Sequence, residues 1–358
     1  MDDSNIDVEL ILKNIADSAS QVGTQAKKAY DVLLDELDTE ISTTPYDTVY
    51  EEDRVKLKHY KPEQKRNKTP LLVVYALINR ETMLDLQPER SVVQSFLSHG
   101  QEVYMVDWGY PTRKDQFMTI DDHVNWYIDD MVDVIRDRHG VDKINLMGIC
   151  MGGSFCVMYA ALHPEKVKNL ITTVTPTNFD TKDGLLFLWS NGMDPDNLLA
   201  DAGNLGGDTL NLGFLLMNPA RLIIDKYVGF MENMDKKDFV ENFIRMERWI
   251  FDSPDVPGAT FKQFITDCYQ KNLLIQNKLE LGGKKVNLKN ITMPLFNIYA
   301  KFDHLVPPSA AKSLSEKVGS KDVTDLCLDT GHIGIYVSSK YQKEFAPGIV
   351  KWLSERDI

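Results

Sequence analysis

Gly148-Ile149-Cys150-Met151-Gly152 is the stretch of this chain most able to do chemistry. It follows a short apolar run, Ile144 to Met147, and precedes a segment that reads as helix. The spacing is that of the G-x-S-x-G turn between a strand and a helix, with a thiol in place of the hydroxyl. Such a turn crowds its flanking positions, so glycines are needed there, and it pushes the middle side chain out above the sheet. A thiol in that place points to covalent catalysis through a thioester rather than an oxoester. It needs a base, and a group that orients the base. The histidines that follow Cys150 are His163, His304 and His332. His163 closes the segment after the turn and reads as a helix C-terminal histidine favoured by the helix dipole. His332 lies in Asp329-Thr330-Gly331-His332, just after the last predicted strand, and is the candidate base. Asp303, also just past a strand, is the leading candidate for the acid; Asp329 is the second, close in sequence to His332. Asp107 ends another strand and reads as a turn or cap residue. His304, beside Asp303, reads equally as site lining or as loop support. Cys156, Cys268 and Cys327 read as small hydrophobes.

These residues have to be positioned by the surrounding elements. Val55 to Tyr60 alternates with period two, and Leu71 to Tyr75 is a continuous apolar run of the kind a buried parallel strand shows. Further strands are predicted from Glu102 to Asp107, Lys143 to Met147, Leu170 to Val174, Pro294 to Ala300 and Val323 to Leu328. Helices are predicted around Ser91 to His99, Ile120 to His139, Gly152 to Leu162, Ser309 to Lys317 and Tyr341 to Leu353. Strand-helix alternation of this kind implies a mostly parallel central sheet with helices on both faces. With the elbow, it predicts an α/β-hydrolase fold, in which nucleophile, acid and histidine follow in that order. The order Cys150, Asp303, His332 fits. An oxyanion hole would take the backbone N–H of Met151, plus one from the loop after the Leu71 run, at Leu77 or Ile78. The alternation stops after Pro176. Residues 176–292 are helical pieces rich in Met and aromatics, including Phe187, Met217, Met231 and Trp249, and read as an inserted cap. The core is then residues 45–175 and 293–358. Residues 1–44 form an N-terminal segment in which Val8, Ile11, Leu12, Ile15, Ala19 and Val22 recur at helical steps.

Bulk composition narrows the function. The formal charge of −13 argues against nucleic acid as a partner, and an anionic ligand would need local basic groups. The four cysteines show no metal-like or disulfide-like spacing, so no metal is expected and a reducing, cytoplasmic setting is. The opening Met1-Asp2-Asp3-Ser4 lacks the basic-then-apolar pattern of a secretory signal. The longest apolar run, Leu71 to Ile78, is far short of the roughly 20 residues a membrane span needs.

Several stretches closely resemble polyhydroxyalkanoate synthases, specifically the class III catalytic subunit. They include Val74-Tyr75-Ala76-Leu77-Ile78-Asn79-Arg80, Val106-Asp107-Trp108-Gly109-Tyr110-Pro111, the elbow itself, Glu247-Arg248-Trp249-Ile250-Phe251-Asp252-Ser253-Pro254-Asp255 and Gly331-His332-Ile333-Gly334. The resemblance runs from about residue 45 to the C-terminus, and residues 1–40 carry little of it. It implies Cys150, Asp303 and His332 as the catalytic residues. It implies (R)-3-hydroxyacyl-CoA, with 3-hydroxybutyryl-CoA foremost, as substrate, polyester and free CoA as products, and no further cofactor. In that family the histidine activates the thiol and the aspartate is thought to activate the 3-hydroxyl of a bound acyl unit. His304, Asn79 and Trp249 are candidate lining residues. The resemblance further implies a second, non-catalytic subunit of the PhaE or PhaR type, a homo- or hetero-oligomer, and association with polymer granules. Two other readings stand beside it: a thiol-dependent hydrolase of acyl-CoA, esters or lactones, and a non-catalytic granule-associated protein.

Overall fold

The computed structural model describes residues 38–199, 202–218 and 225–357. The helix expected over about residues 6–38 lies outside these residues, save position 38.

Eight strands form one sheet: β1 Asp47–Glu52, β2 Val55–Tyr60, β3 Leu71–Val74, β4 Val103–Asp107, β5 Ile144–Ile149, β6 Val167–Thr173, β9 Leu295–Ala300 and β10 Val323–Leu328. A separate hairpin, β7 Glu280–Leu281 and β8 Lys284–Lys285, falls between β6 and β9. The strand order is β1-β2-β4-β3-β5-β6-β9-β10. β1 pairs antiparallel with β2 and β2 with β4, while every pairing from β4 to β10 is parallel. The parallel strands β3, β4, β5 and β9 are buried along their whole length, as their predominantly apolar residues require when helices cover both faces. No residue of β1 is buried, so no apolar alternation announced it. Edge strand β10 turns Cys327 out to solvent, whereas Cys156 and Cys268 are buried as small hydrophobes are.

Two expected helices are built differently. The stretch from Ile120 to His139 contains a wider π-helical segment, Asp122–Ile128, before the α-helix Asp129–His139. The wide turns set His123 inward, with ring contacts to Trp108 at 5.2 Å and Phe155 at 5.7 Å. The C-terminal helix is two pieces, Ser339–Gln342 and Phe345–Ser354. Pro347 explains the restart: proline fits the first turn of a helix but not its interior.

Between β6 and β9 the described residues are mostly helical, and they reach back to the sheet domain through specific bonds. Trp249 Nε1 donates to the Arg80 carbonyl at 2.8 Å, and Tyr110 Oη donates to Asp252 at 2.5 Å. The chain just before β1 is tied to the same region. Arg245 bonds the Glu40 carbonyl and the Asp38 carboxylate, and Arg248 bonds the Thr39 carbonyl and hydroxyl.

Candidate active site

The strand order puts the three reactive candidates on one edge. β5, β6, β9 and β10 run parallel, and Cys150, Asp303 and His332 each lie just beyond the carboxyl end of one of them. Such an edge is where open parallel sheets place their ligands. Cys150 follows β5 directly, with φ +53° and ψ −123°, in the left-handed half of conformational space that side chains rarely occupy. The strain is held by close packing. A Cβ on Gly148 would collide with the Gly153 backbone, and one on Gly152 with the carbonyl oxygens of Val74 and Tyr75. A Cβ on Gly153 would collide with Thr175 Oγ1. The glycines read from sequence as a steric necessity therefore have named neighbours, and Gly153 is a third such position.

His332 and Asp303 form the next link. His332 Nδ1 is 2.6 Å from Asp303 Oδ2. Asp303 Oδ1 accepts the backbone N–H groups of Leu305 and Val306, both at 2.9 Å. Both carboxylate oxygens are thus occupied, and the side chain is wholly buried. With Nδ1 on Asp303, His332 has its other ring nitrogen left over, and Cys150 is near enough to act on the titration of the ring. Burial alone would lower the His332 pKa, but the charges of Asp303 and Cys150 and their hydrogen bonds outweigh it and push it up to about 10.

Three phenols lie near enough to the sulfur for its charge to act on them. They are Tyr75 from the loop after β3, Tyr269 from the cap, and Tyr336 from the segment after His332. Burial first, and the charge of Cys150 second or third, drives each above the ordinary tyrosine range, so all three stay protonated. Tyr269 belongs to an aromatic cluster with Phe179 at 4.7 Å, Phe187 at 5.2 Å and Phe264 at 5.7 Å, which gives the cap an apolar inner face.

The remaining candidates are placed as follows. Met151 opens the helix Met151–Leu162, so its N–H has no partner within that helix and lies beside the sulfur. The loop with Leu77 and Ile78 lies against the start of this helix, as the contacts of Gly152 with the preceding carbonyls show. Asn79, at φ +58°, donates to Ser253 Oγ at 2.6 Å and to the Ile250 carbonyl at 3.3 Å. Asn79 and Trp249 both fasten the loop after β3 to the cap. His304 is half-buried on the Asp303 loop. Asp329 pairs with Lys301 at 3.1 Å on the surface, away from His332 Nδ1, which Asp303 occupies. Asp107 accepts the Gly109 N–H, as a turn residue does, but it also joins a buried ion cluster. In that cluster Lys58 contacts Glu81 at 2.6 Å and Asp107 at 2.9 Å, while Arg80 contacts Asp107 at 2.9 Å. Burial would raise the Asp107 carboxyl; Lys58 and Arg80 hold it below the usual range. Sequence reasoning missed this cluster, because its members are polar residues far apart in the chain. Among the described residues no group of His, Cys, Asp and Glu is arranged to hold a metal ion, and no helix is long and apolar enough to cross a membrane.

The fold and the elbow define an α/β hydrolase by class. A family model described as alpha/beta hydrolase fold matches residues 69–338. Among solved structures, the putative non-heme bromoperoxidase BpoC of Mycobacterium tuberculosis is similar with a TM-score of 0.54 and 14% identity, over 87% of this chain and 99% of that one, which speaks for the fold alone. Within that class the sequence is much more specific. The poly(3-hydroxyalkanoate) polymerase subunit PhaC of Allochromatium vinosum is 50% identical over 89% of this chain and 90% of its own length. The subunit of the same name from Thiocystis violacea is 49% identical over 90% and 91%. A model of the poly-beta-hydroxybutyrate polymerase (PhaC) N-terminus matches residues 8–96, so the likeness begins well before residue 45, where the resemblance is expected to start. The chain belongs to the PhaC family of poly(3-hydroxyalkanoate) polymerases, enzymes of acyl transfer.

Proposed function

We propose that this protein polymerises (R)-3-hydroxyacyl-CoA, 3-hydroxybutyryl-CoA foremost, through an acyl thioester on Cys150. The observation that carries this reading is the buried Asp303–His332 pair, with the partly exposed Cys150 near enough to His332 to act on its titration. Asp303 and Cys150 push the His332 pKa up to about 10, which favours a protonated imidazole beside the sulfur.

The thiolate attacks the thioester carbonyl, and the N–H groups of Met151 and of Leu77 or Ile78 receive the developing oxyanion. The carbon–sulfur bond to CoA breaks, and the departing sulfur takes the proton from His332. Cys150 is now acylated and its charge is gone, so one of the influences that raised His332 is removed. Neutral His332 then accepts the proton of the attacking 3-hydroxyl as an ester bond forms, and the Cys150 thiolate leaves. Thioester-for-thioester exchange keeps the acyl group activated, and its attack by a hydroxyl to give an oxoester runs downhill; a serine would lose that drive in the first step. The family likeness assigns activation of the hydroxyl to the aspartate. The geometry favours His332 for both steps, because Asp303 already spends one oxygen on His332 and the other on two backbone N–H groups.

Asp303 is therefore read as the residue that orients His332. The aromatic cap face around Tyr269 favours transfer over hydrolysis by keeping water from the acyl thioester. A second non-catalytic subunit and the granule surface complete the working assembly in this reading. The apolar outer face of the cap, with Met231 at 71% and Phe251 at 60% exposure, supports association with an apolar surface. The test is incubation with (R)-3-hydroxybutyryl-CoA while free thiol and products are followed. CoA release with insoluble polyester is expected. Soluble 3-hydroxybutyrate as sole product would make the protein a hydrolase.

A further inference from the structure

We propose that Tyr336, acting through Thr173, is a positioning residue that locks the His332 loop to the Cys150 elbow. The proposal rests on the assignment of Cys150 and His332 as the reacting pair. These two residues arrive from different parts of the chain, beyond the ends of different strands, and have to be held in line. A connection runs behind them. Tyr336 lies four residues after His332, fully buried, with its hydroxyl 2.9 Å from Thr173 Oγ1. Thr173 ends β6, the neighbour of β5, and grips the elbow at two points. Its carbonyl accepts the Cys150 N–H at 3.0 Å, and its hydroxyl lies 3.5 Å from the Gly148 carbonyl, which it can reach as a long donor while accepting from Tyr336.

The residues beyond Thr173 are built to keep that grip. Val174 is buried at φ +43°, a conformation uncommon for any side chain and exceptional for a β-branched one. Its N–H donates to the Ile298 carbonyl of β9 at 2.8 Å. Thr175 Oγ1 folds back onto the Thr173 carbonyl at 3.1 Å and fills the space a Cβ on Gly153 would need. A strained backbone held this firmly directly behind a nucleophile points to a function for the strain. Here it fixes the carbonyl that holds Cys150 while the hydroxyl of the same residue faces Tyr336. Tyr336 is braced from its other side by the Phe345 ring at 5.5 Å and by Gln342, which donates to its carbonyl. Its phenol stays protonated and so remains a donor.

Tyr336→Phe removes only the hydroxyl, and Thr173→Val removes its partner. Each is expected to lower kcat roughly tenfold with KM little changed, the size of effect one lost buried hydrogen bond gives when it misaligns a reacting pair. The double variant should be no slower than the slower single one, because both remove one connection. Thr173→Ser, which keeps the hydroxyl, should restore most of the rate. The distinguishing readout is the rate of iodoacetamide alkylation of the Cys150 peptide, followed by mass spectrometry from about pH 5 to 9. In the wild type, His332 sustains the reaction at the acid end; in Tyr336→Phe and Thr173→Val that acid-end rate should fall by the same factor as kcat. A variant that melts earlier yet keeps the wild-type alkylation profile and kcat would overturn the proposal, as would additive losses in the double variant. If Tyr336→Phe does not fold, the Thr173→Val and Thr173→Ser pair decides alone. A wild-type Cys150 peptide that resists alkylation across the whole range would instead contradict the nucleophile assignment itself.

Discussion

Along the helix that follows the elbow, every residue from Met151 to Ala161 is buried. The cap helix Lys237–Phe251 is longer but buries only Val240, Ile244, Arg245, Glu247 and Trp249. Glycines make the same contrast. Added methyl groups at Gly148, Gly152 and Gly153 would strike backbone or a packed threonine, whereas at Gly213 and Gly229 in the cap they would meet nothing within 4 Å. The core fixes the reacting atoms by leaving no room for alternatives. The insert between β6 and β9 carries an aromatic cluster around Tyr269 and exposes Met231 and Phe251. Tight packing is thus concentrated around the elbow, and looser packing in the helical insert.

The sharpest way to break this contrast is at the relay. Asp303→Asn keeps the shape but cannot hold the His332 imidazolium, so the rate of CoA release should fall by about a thousandfold, with KM changed little. The same pair gives the core a pH dependence. His332 is raised in the folded state, so its stabilising contribution is fully present below about pH 6.5 and is lost as pH rises through about 10. Chemical denaturation across that window should show the stability margin of the wild type over His332→Gln shrinking as pH rises. Packing is the next test. Gly153→Ala drives a methyl into Thr175 Oγ1 and should destabilise by about 1–3 kcal/mol, while Gly213→Ala, within the helix Gly207–Met217, should stabilise by about 0.5–1 kcal/mol. Thermal melts of the two variants should move in opposite directions; a loss of similar size in both would erase the contrast between core and cap.

Much of the core was readable from the sequence because its constraints are local. The elbow glycines answer to steric crowding within a few residues, and the buried strands announce themselves as apolar runs. Asp303 and His332 could be selected because the fold delivers them at strand ends in a fixed order. What could not be read depends on residues that meet only after folding. Lys58 and Glu81 are 23 positions apart and Thr173 and Tyr336 are 163 apart, and neither pair has a periodic or compositional signature. Strand β1 hid because an exposed edge needs no alternation, and the split at Phe345 hid because the apolar pattern continues across it although Pro347 forces a new first turn. Asn79 and Trp249 sat in motifs that suggested the site, yet their bonds run between the loop and the cap.

The central claim is that the acyl group waits on Cys150 as a thioester. It is tested most directly by mixing the enzyme with (R)-3-hydroxybutyryl-CoA, quenching in acid before turnover is complete, and mapping the acyl mass by peptide mass spectrometry. The expected result is a hydroxybutyryl group, or a short oligomer of it, on the peptide containing Cys150, labile to hydroxylamine and absent from Cys150→Ala. Acylation at another residue, or polymer formed at wild-type rate by Cys150→Ala, would contradict it.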